Sequence, residues 1–480
     1  MNESASFDEK EHERLRDLGH KAVDRFIEHL AALPTKPVYQ PVPDLDRAAI
    51  LGQPLPVEGA DPAEVIDEIV RDVFRFPMGN NHPRFFGWVN SPAAPIAVIA
   101  SLLAAGFNPS CAGGDHAAIY LERVVLDWIK QILGFPLSAM GLLVGGGSGA
   151  NLTGLAVARH VLLARAGWDV RQSGMNGAPP ILVFTTEQSH SSIIKAVEML
   201  GIGNRSIRQV PTDSRYRMDV GALDQLVRKE CGAEPAAAIV VASAGSVNTG
   251  SVDPLNEIAD LCAQQGCWLH VDGAYGAPAV LVDETRNLFR GLDRADSIAV
   301  DPHKWLYVPV DCGCVIVRDQ SAMRQTFSLV PPYLKDSSNA PPWFSEYTYE
   351  QTRPFRALKL WAAFRERGIA GYRADISRDL ALARRFSDQV RASSDFELAA
   401  PVTLSVVAFR CTPPRLLGDT KMIDDLNSIL PRAIQEQGRI FLSGTTLSSR
   451  PVLRVCFVNF RTTESDVDEI LDAIRAAAPI

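Results

Sequence analysis

The run SIAVDPHKWLYVPVDCG, residues 297–313, opens as a short apolar strand and then sets Lys304 between a histidine and a tryptophan. Burying an ammonium in such surroundings is costly unless its charge is used or removed, so the position asks for a chemical partner. Three runs upstream share the strand's character, ILVFTT (181–186), AAIVVAS (237–243) and CWLHVD (267–272), and CVIV (314–317) comes after it. They are apolar on both faces and alternate with helical patterns, which predicts a mostly parallel sheet covered by helices. Ligands of such sheets lie beyond the carboxyl ends of the strands. The polar residues fall there: His190 after the first run, Ser243 and Asp272 closing the next two, and Asp301, His303 and Lys304 after the fourth.

The chain has 480 residues, room for two or three domains, and its 46% hydrophobic and 22% charged residues are those of a globular protein without low-complexity tracts or repeats. A formal charge of −8 and the lack of a Lys/Arg-rich run argue against nucleic acid or an anionic membrane as partner and leave a small-molecule role. The polar start, MNESASFDEKEHERLRD, lacks the apolar stretch of a secretory signal, so a cytoplasmic protein is expected. The uncharged span from Phe85 to Gly114 is broken by Asn and Pro below the roughly 20 apolar residues a membrane helix needs, and reads as core or subunit interface. The eight cysteines include no pair of pairs at zinc-ribbon spacing; reduced structural thiols and no metal are expected.

Residues 10–32 carry Leu15, Leu18, Val23, Phe26, Ile27 and Leu30 at helical spacing, an amphipathic helix in need of a partner surface. A second helix is expected from Pro62 to about Phe76, capped by Asp61. After Pro354 the pattern FRALKLWAAFRERG predicts a helix that stops at Gly368, and the strands LSVVAFR (404–410) and VLRVCFV (452–458) among helices predict a smaller α+β unit.

In GLLVGGGSGANLTGLAVAR (141–159) a glycine cluster runs through Ser148 into a helix. Closely approaching amides and a helix N-terminus make a phosphate site, although a turn without ligand fits the same residues. The spacing suits neither a dinucleotide nor a triphosphate loop; a smaller phosphate ester fits better. Asp272 alone is compatible with a helix cap or a metal ligand. Together with Lys304 and the phosphate cradle it fits pyridoxal phosphate, whose aldehyde is bound by a lysine and whose pyridine nitrogen is held protonated by a carboxylate.

With HPRFFGW (82–88), GGGSGANL (145–152), SHSSIIKA (189–196), VDGAYG (271–276), DPHKWL (301–306) and PPYLKD (331–336) in this order, the chain resembles the group II pyridoxal-phosphate decarboxylases, in the style of the aromatic-L-amino-acid decarboxylases. The resemblance implies the pyridoxal-phosphate transferase fold type I: a mostly parallel seven-stranded sheet in a large cofactor-binding domain (95–361), an N-terminal helical dimerisation segment (1–94) and a small C-terminal α+β domain (362–480). It implies a homodimer with active sites at the subunit interface. Gly147 and Ser148 would bind the phosphate, Asp272 the ring nitrogen, Ala274 one ring face and His190 the other, with Ser243 and His303 nearby and Lys304 as the covalent anchor. His190 is open to a second reading, a helix-cap or core histidine. His303 is expected to point away from Lys304 along an extended segment.

The chain departs from the family pattern in two places. Gly273 stands where Ala is common and is expected to matter little; Asp301 stands where Asn is common, so a phosphate contact there needs a water or a proton between the two. The resemblance places Phe86, Trp88, Ser91 and Phe107 at the substrate, against the alternative that FFGW is only core. No arginine in these segments awaits a substrate side-chain carboxylate, which favours an aromatic or apolar amino acid. Tyr333 is a loop anchor or, by resemblance, the acid that, assisted by His190, returns a proton to Cα once carbon dioxide has left; related aldehyde synthases tend to carry Phe there. The expected activity is that of a carboxy-lyase forming an amine from an L-amino acid. The alternatives are oxygen-dependent decarboxylation with deamination to an aldehyde, or a non-catalytic pyridoxal-phosphate-binding protein.

Overall fold

The computed structural model describes residues 9–232, 237–329 and 342–478. Its central sheet has seven strands, β1 (Met140–Val144), β2 (Ile181–Thr185), β3 (Ile207–Gln209), β4 (Ala237–Ser243), β5 (Trp268–Asp272), β6 (Ser297–Val300) and β7 (Gly313–Val317), in the order β1-β7-β6-β5-β4-β2-β3. All neighbours are parallel except β7, which runs antiparallel to both β1 and β6. Helical crossovers cover both faces, so Val, Ile and Ala in β4 to β7 are buried on either side. The two strands that apolar runs did not disclose are the sheet's edges. β1 merges into the glycine cluster, and β3, Ile-Arg-Gln, is short and partly exposed.

Register places the chemistry. Ser243 pairs with Asp272, and Asp272 with Ala299, so the carboxyl ends of β4, β5 and β6 are level.

The chain before the sheet supplies α1 (Glu9–Ala32), α2 (Asp44–Leu51), α3 (Pro62–Glu68), α4 (Pro95–Phe107) and α5 (Ala117–Leu133). Asp61 caps α3 by accepting from the Ala63 N–H at 2.8 Å, and a π turn, Ile69–Val73, prolongs the helix toward Phe76. None of the residues of α1, α2 or α3 is buried. Among the described residues no helix is long and apolar enough to cross a membrane.

The helix expected to stop at Gly368 does stop there: at φ 61° and ψ 172° Gly368 is non-helical, a conformation glycine adopts without a Cβ clash, and a second helix follows at once and runs to Ala392. The first of the two packs on α4 and α5, and the second on a four-stranded antiparallel sheet of β8 (Phe396–Leu398), β9 (Val406–Cys411), β10 (Ser443–Leu447) and β11 (Arg450–Cys456). Phe86, Phe386, Phe409 and Phe457 fill the core there.

Candidate active site

A cavity of about 260 Å³ opens at the level strand ends and is lined by Gly145 to Ser148, His190, Ser243, Asp272, Ala274, His303 and Lys304, among others. Every cofactor-binding residue expected from the sequence therefore borders one space. The β1 carboxyl end turns at Gly146, whose φ of 123° excludes other L-residues, and α6 (Gly147–Arg165) begins at once. Gly146 brings no side chain to cap this 19-residue helix; Asp301 Oδ2 takes its first N–H, that of Gly147, and Gly147 and Ser148 border the cavity. A Cβ on Gly147 would stand 2.9 Å from Asp301 Oδ2 and 3.1 Å from the Ala274 Cβ: only bare backbone fits.

Asp272 is 9% exposed. Its Oδ1 accepts the Ala274 N–H (3.1 Å) and its Oδ2 the Asn151 Nδ2–H (3.0 Å), which fixes the carboxylate's orientation.

Lys304 does not lie on an extended segment. Its N–H donates to the Asp301 carbonyl at 2.8 Å, closing a turn, so His303 and Lys304 border the same cavity and do not face opposite ways. The lysine side chain is 20% exposed, with Nζ 3.7 Å from Asp301 Oδ2. The turn rests on a buried foundation: Trp305 stacks on Tyr275 at 5.1 Å and donates to Asp379, which also accepts from the Tyr307 hydroxyl. Burial raises the Asp379 carboxyl to about 6.

Asp301 is 2% exposed and accepts the Gly147 N–H through Oδ2 at 3.0 Å. His303 Nδ1 lies 2.9 Å from the other oxygen, but its lone pair already accepts the Cys312 N–H (3.2 Å), and Oδ1 has no hydrogen-bond donor among the described residues. A group entering here must bring a proton or a water for that oxygen.

Both readings of His190 fit its place. It caps the helix Ser191–Met199, Nδ1 accepting the Ser192 N–H at 3.2 Å, and it borders the cavity. Its pKa is lowered, first by burial and then by Lys304, against the opposing pull of Asp272 and Asp301. Burial thus favours the neutral ring.

The substrate residues are dispersed. Phe86 is 1% exposed and belongs to the C-terminal core, its N–H donating to the Phe441 carbonyl. Ser91 Oγ donates to the His303 carbonyl at 3.0 Å and buttresses the lysine turn. Trp88 lies on Phe441 at 5.2 Å and Phe107 projects from the end of α4, 77% exposed; neither borders this chain's cavity. Tyr333 lies outside the described residues. Unforeseen members of the wall are Val89, Asn151, Gln188, Ser192, Val247 and Tyr275. Asn151 and Tyr275 stand inside the quoted motifs, close to assigned residues, and that nearness is the one signal that could have found them.

Gly273 is not indifferent. A Cβ there would stand 2.8 Å from the Ala277 Cβ and 3.2 Å from the Ala299 carbonyl. Gly273→Ala is expected to destabilise the chain by about 1–3 kcal/mol through overpacking. Urea unfolding would measure it, and an unchanged midpoint would contradict this packing.

An amine, a fixed carboxylate and a glycine-lined helix N-terminus at the strand ends of an α/β sheet fit a pyridoxal-phosphate enzyme of fold type I. The family model "Pyridoxal-dependent decarboxylase conserved domain" matches residues 50–412, and the chain belongs to that family. It is 36% identical over 471 residues to an aromatic-L-amino-acid decarboxylase of Bacillus atrophaeus, covering 97% of this chain and 96% of the relative. A phenylacetaldehyde synthase of Arabidopsis thaliana is 29% identical over 97% of this chain and 96% of its own length. The crystal structure titled Oryza sativa TDC with PLP and tryptamine superposes with a TM-score of 0.91 at 28% identity, over 98% of this chain and 99% of that one. The protein is a pyridoxal-phosphate-dependent amino-acid decarboxylase.

Proposed function

We propose that the protein removes the α-carboxylate of an aromatic L-amino acid to give the amine and carbon dioxide. The observation that carries this reading is the cavity wall: Val89, Val247 and Tyr275 line it, and among the described lining residues there is no arginine to receive a side-chain carboxylate. An apolar ring suits such a wall.

Bound pyridoxal phosphate supplies an electron-withdrawing ring that accepts the electron pair left at Cα when the carboxylate departs. Gly147 and Ser148 at the start of α6 hold the phosphate, and Lys304 anchors the aldehyde. Asp272 keeps the pyridine nitrogen protonated, an electrostatic task worth most in a site shielded from water. Ala274 and His190 bracket the ring, Ser243 and His303 complete the wall, and Tyr333 returns the proton to Cα. The orphaned Asp301 oxygen is met by a water or proton on the phosphate side.

The kinship with an aldehyde synthase keeps one alternative open. Tyr333→Phe is expected to divert turnover to aldehyde, ammonia and peroxide, with oxygen as oxidant and at least about a tenfold loss of amine. Carbon dioxide, amine and peroxide, measured together over a panel of amino acids, test both readings. Amine from glutamate but not from tyrosine, tryptophan or phenylalanine would overturn the substrate assignment, and full amine yield from the variant would overturn the role of Tyr333.

The same reading makes the protein a homodimer with segments 1–94, 95–361 and 362–480. In support, α4 exposes Ile99 (45%), Leu102 (61%), Leu103 (53%) and Phe107 (77%), a contiguous apolar face that fits a second copy and would carry Phe107 to the partner's site. The described cysteines are all free, in keeping with a reducing cytoplasm.

A further inference from the structure

Behind Asp272 runs a chain of buried side chains that the proposed mechanism does not use. Trp268 Nε1 lies 2.9 Å from Ser297 Oγ, Ser297 Oγ 2.8 Å from His270 Nδ1, and His270 Nε2 3.0 Å from Asn151 Oδ1. Asn151 Nδ2 reaches both Asp272 Oδ2 and Ser192 Oγ at 3.0 Å, and Ser192 Oγ lies 2.8 Å from His190 Nδ1. Trp268, Ser297, His270, Asn151 and Ser192 are all between 0% and 4% exposed.

The direction of every bond is set by the ends. Asp272 only accepts, so Asn151 donates to it through Nδ2 and its carbonyl accepts from His270 Nε2; a neutral His270 then accepts at Nδ1 from the Ser297 hydroxyl, which itself accepts the indole N–H. His270 then carries its proton on Nε2 and donates to the Asn151 carbonyl. Burial supports this state by pushing the His270 pKa down to about 4, against Asp272, the titratable group that opposes the shift. The reverse amide orientation would set the Asn151 carbonyl against the Asp272 carboxylate, two acceptors in contact. With the amide so held, one Nδ2 hydrogen goes to Asp272 and the other to Ser192, whose hydroxyl is left to donate to His190 Nδ1. Since that nitrogen also accepts the Ser192 N–H, the His190 proton is confined to Nε2.

We propose that Asn151 and His270 are positioning residues that act as one branched relay, orienting the Asp272 carboxylate and, through Ser192, giving His190 Nδ1 a second donor beside the Ser192 N–H. His190 thus presents its Nε2–H, and the groups assigned to the ring nitrogen and to one ring face are joined through one buried amide. The inference rests on the placement of the pyridine nitrogen at Asp272 and of His190 over the ring.

The test uses the full chain. In the cofactor-free protein, 15N-histidine NMR reads the tautomer of His190, and equilibrium dialysis with pyridoxal phosphate reads affinity. Wild type is expected to show His190 as Nε2–H. Asn151→Ala and His270→Leu are expected to weaken cofactor binding by roughly 10- to 100-fold, the scale on which supporting hydrogen-bond partners act, while the Ser192 N–H keeps His190 as Nε2–H. His270→Gln, whose amide can still donate to Asn151, is expected to restore most of the affinity. A wild-type Nδ1–H tautomer, unchanged affinity in Asn151→Ala, or His270→Gln failing as badly as His270→Leu would each overturn the relay. An Asp272→Ala control separates the two levels: if it binds cofactor and turns over as wild type does, the underlying site assignment has failed.

Discussion

Lys304→Ala is expected to abolish the covalent link to the cofactor and to lower turnover by on the order of a thousandfold or more, the scale on which removal of a covalent nucleophile acts. Lys304 is the single lysine among the described residues of the cavity wall, and the turn that carries it is held by the Trp305–Asp379 hydrogen bond. Borohydride reduction of the loaded wild-type protein should fix the cofactor to the peptide bearing residue 304, and reduction of the variant should fix it nowhere. Because the lysine side chain is 20% exposed and its ion pair with Asp301 is long, at 3.7 Å, its loss should leave the fold intact. A reduced, labelled peptide from another part of the chain, or turnover near wild type, would disprove the assignment.

Asp272→Asn is expected to preserve shape and to cost about 100- to 1000-fold in turnover, comparable to deleting one preorganised electrostatic contact in an enclosed site. Asparagine keeps one acceptor oxygen, enough for either the Ala274 N–H or the Asn151 amide, and sets an NH2 against the other, so the variant removes the negative charge together with one of the two bonds. What is lost is the means to keep the pyridine nitrogen protonated while charge flows toward it. The bound cofactor's absorbance should also titrate at a different pH in the variant, whereas a purely structural defect would alter melting and leave that titration unmoved. Near-normal turnover with an unchanged titration would remove Asp272 from the mechanism.

The seven-stranded sheet was legible largely because a buried parallel strand needs apolar side chains on both faces, and such runs are local. The edge strands β1 and β3 escaped for the converse reason, one passing into glycines and the other half exposed. Gly368 shows both the reach and the limit of a local signal: the helix ends there as the glycine indicates, but that a second helix starts at once and packs on the C-terminal sheet depends on residues beyond it.

For the site, the local pattern of residues already specified which chemistry is present. A lysine, an aspartate, a histidine and a glycine cluster each stand at a strand end, and strand ends of a parallel sheet meet at one edge whatever the details of packing. Orientation and company came from three-dimensional packing alone. It turned His303 to the same side as Lys304, sent Phe86 into the C-terminal core, made Gly273 intolerant of a methyl group, and seated Asn151 between His270 and Asp272. Those outcomes depend on contacts between residues far apart in the chain, at distances of about 3 Å where a small shift changes partner and direction. Periodicity and composition carry the first kind of information and are blind to the second.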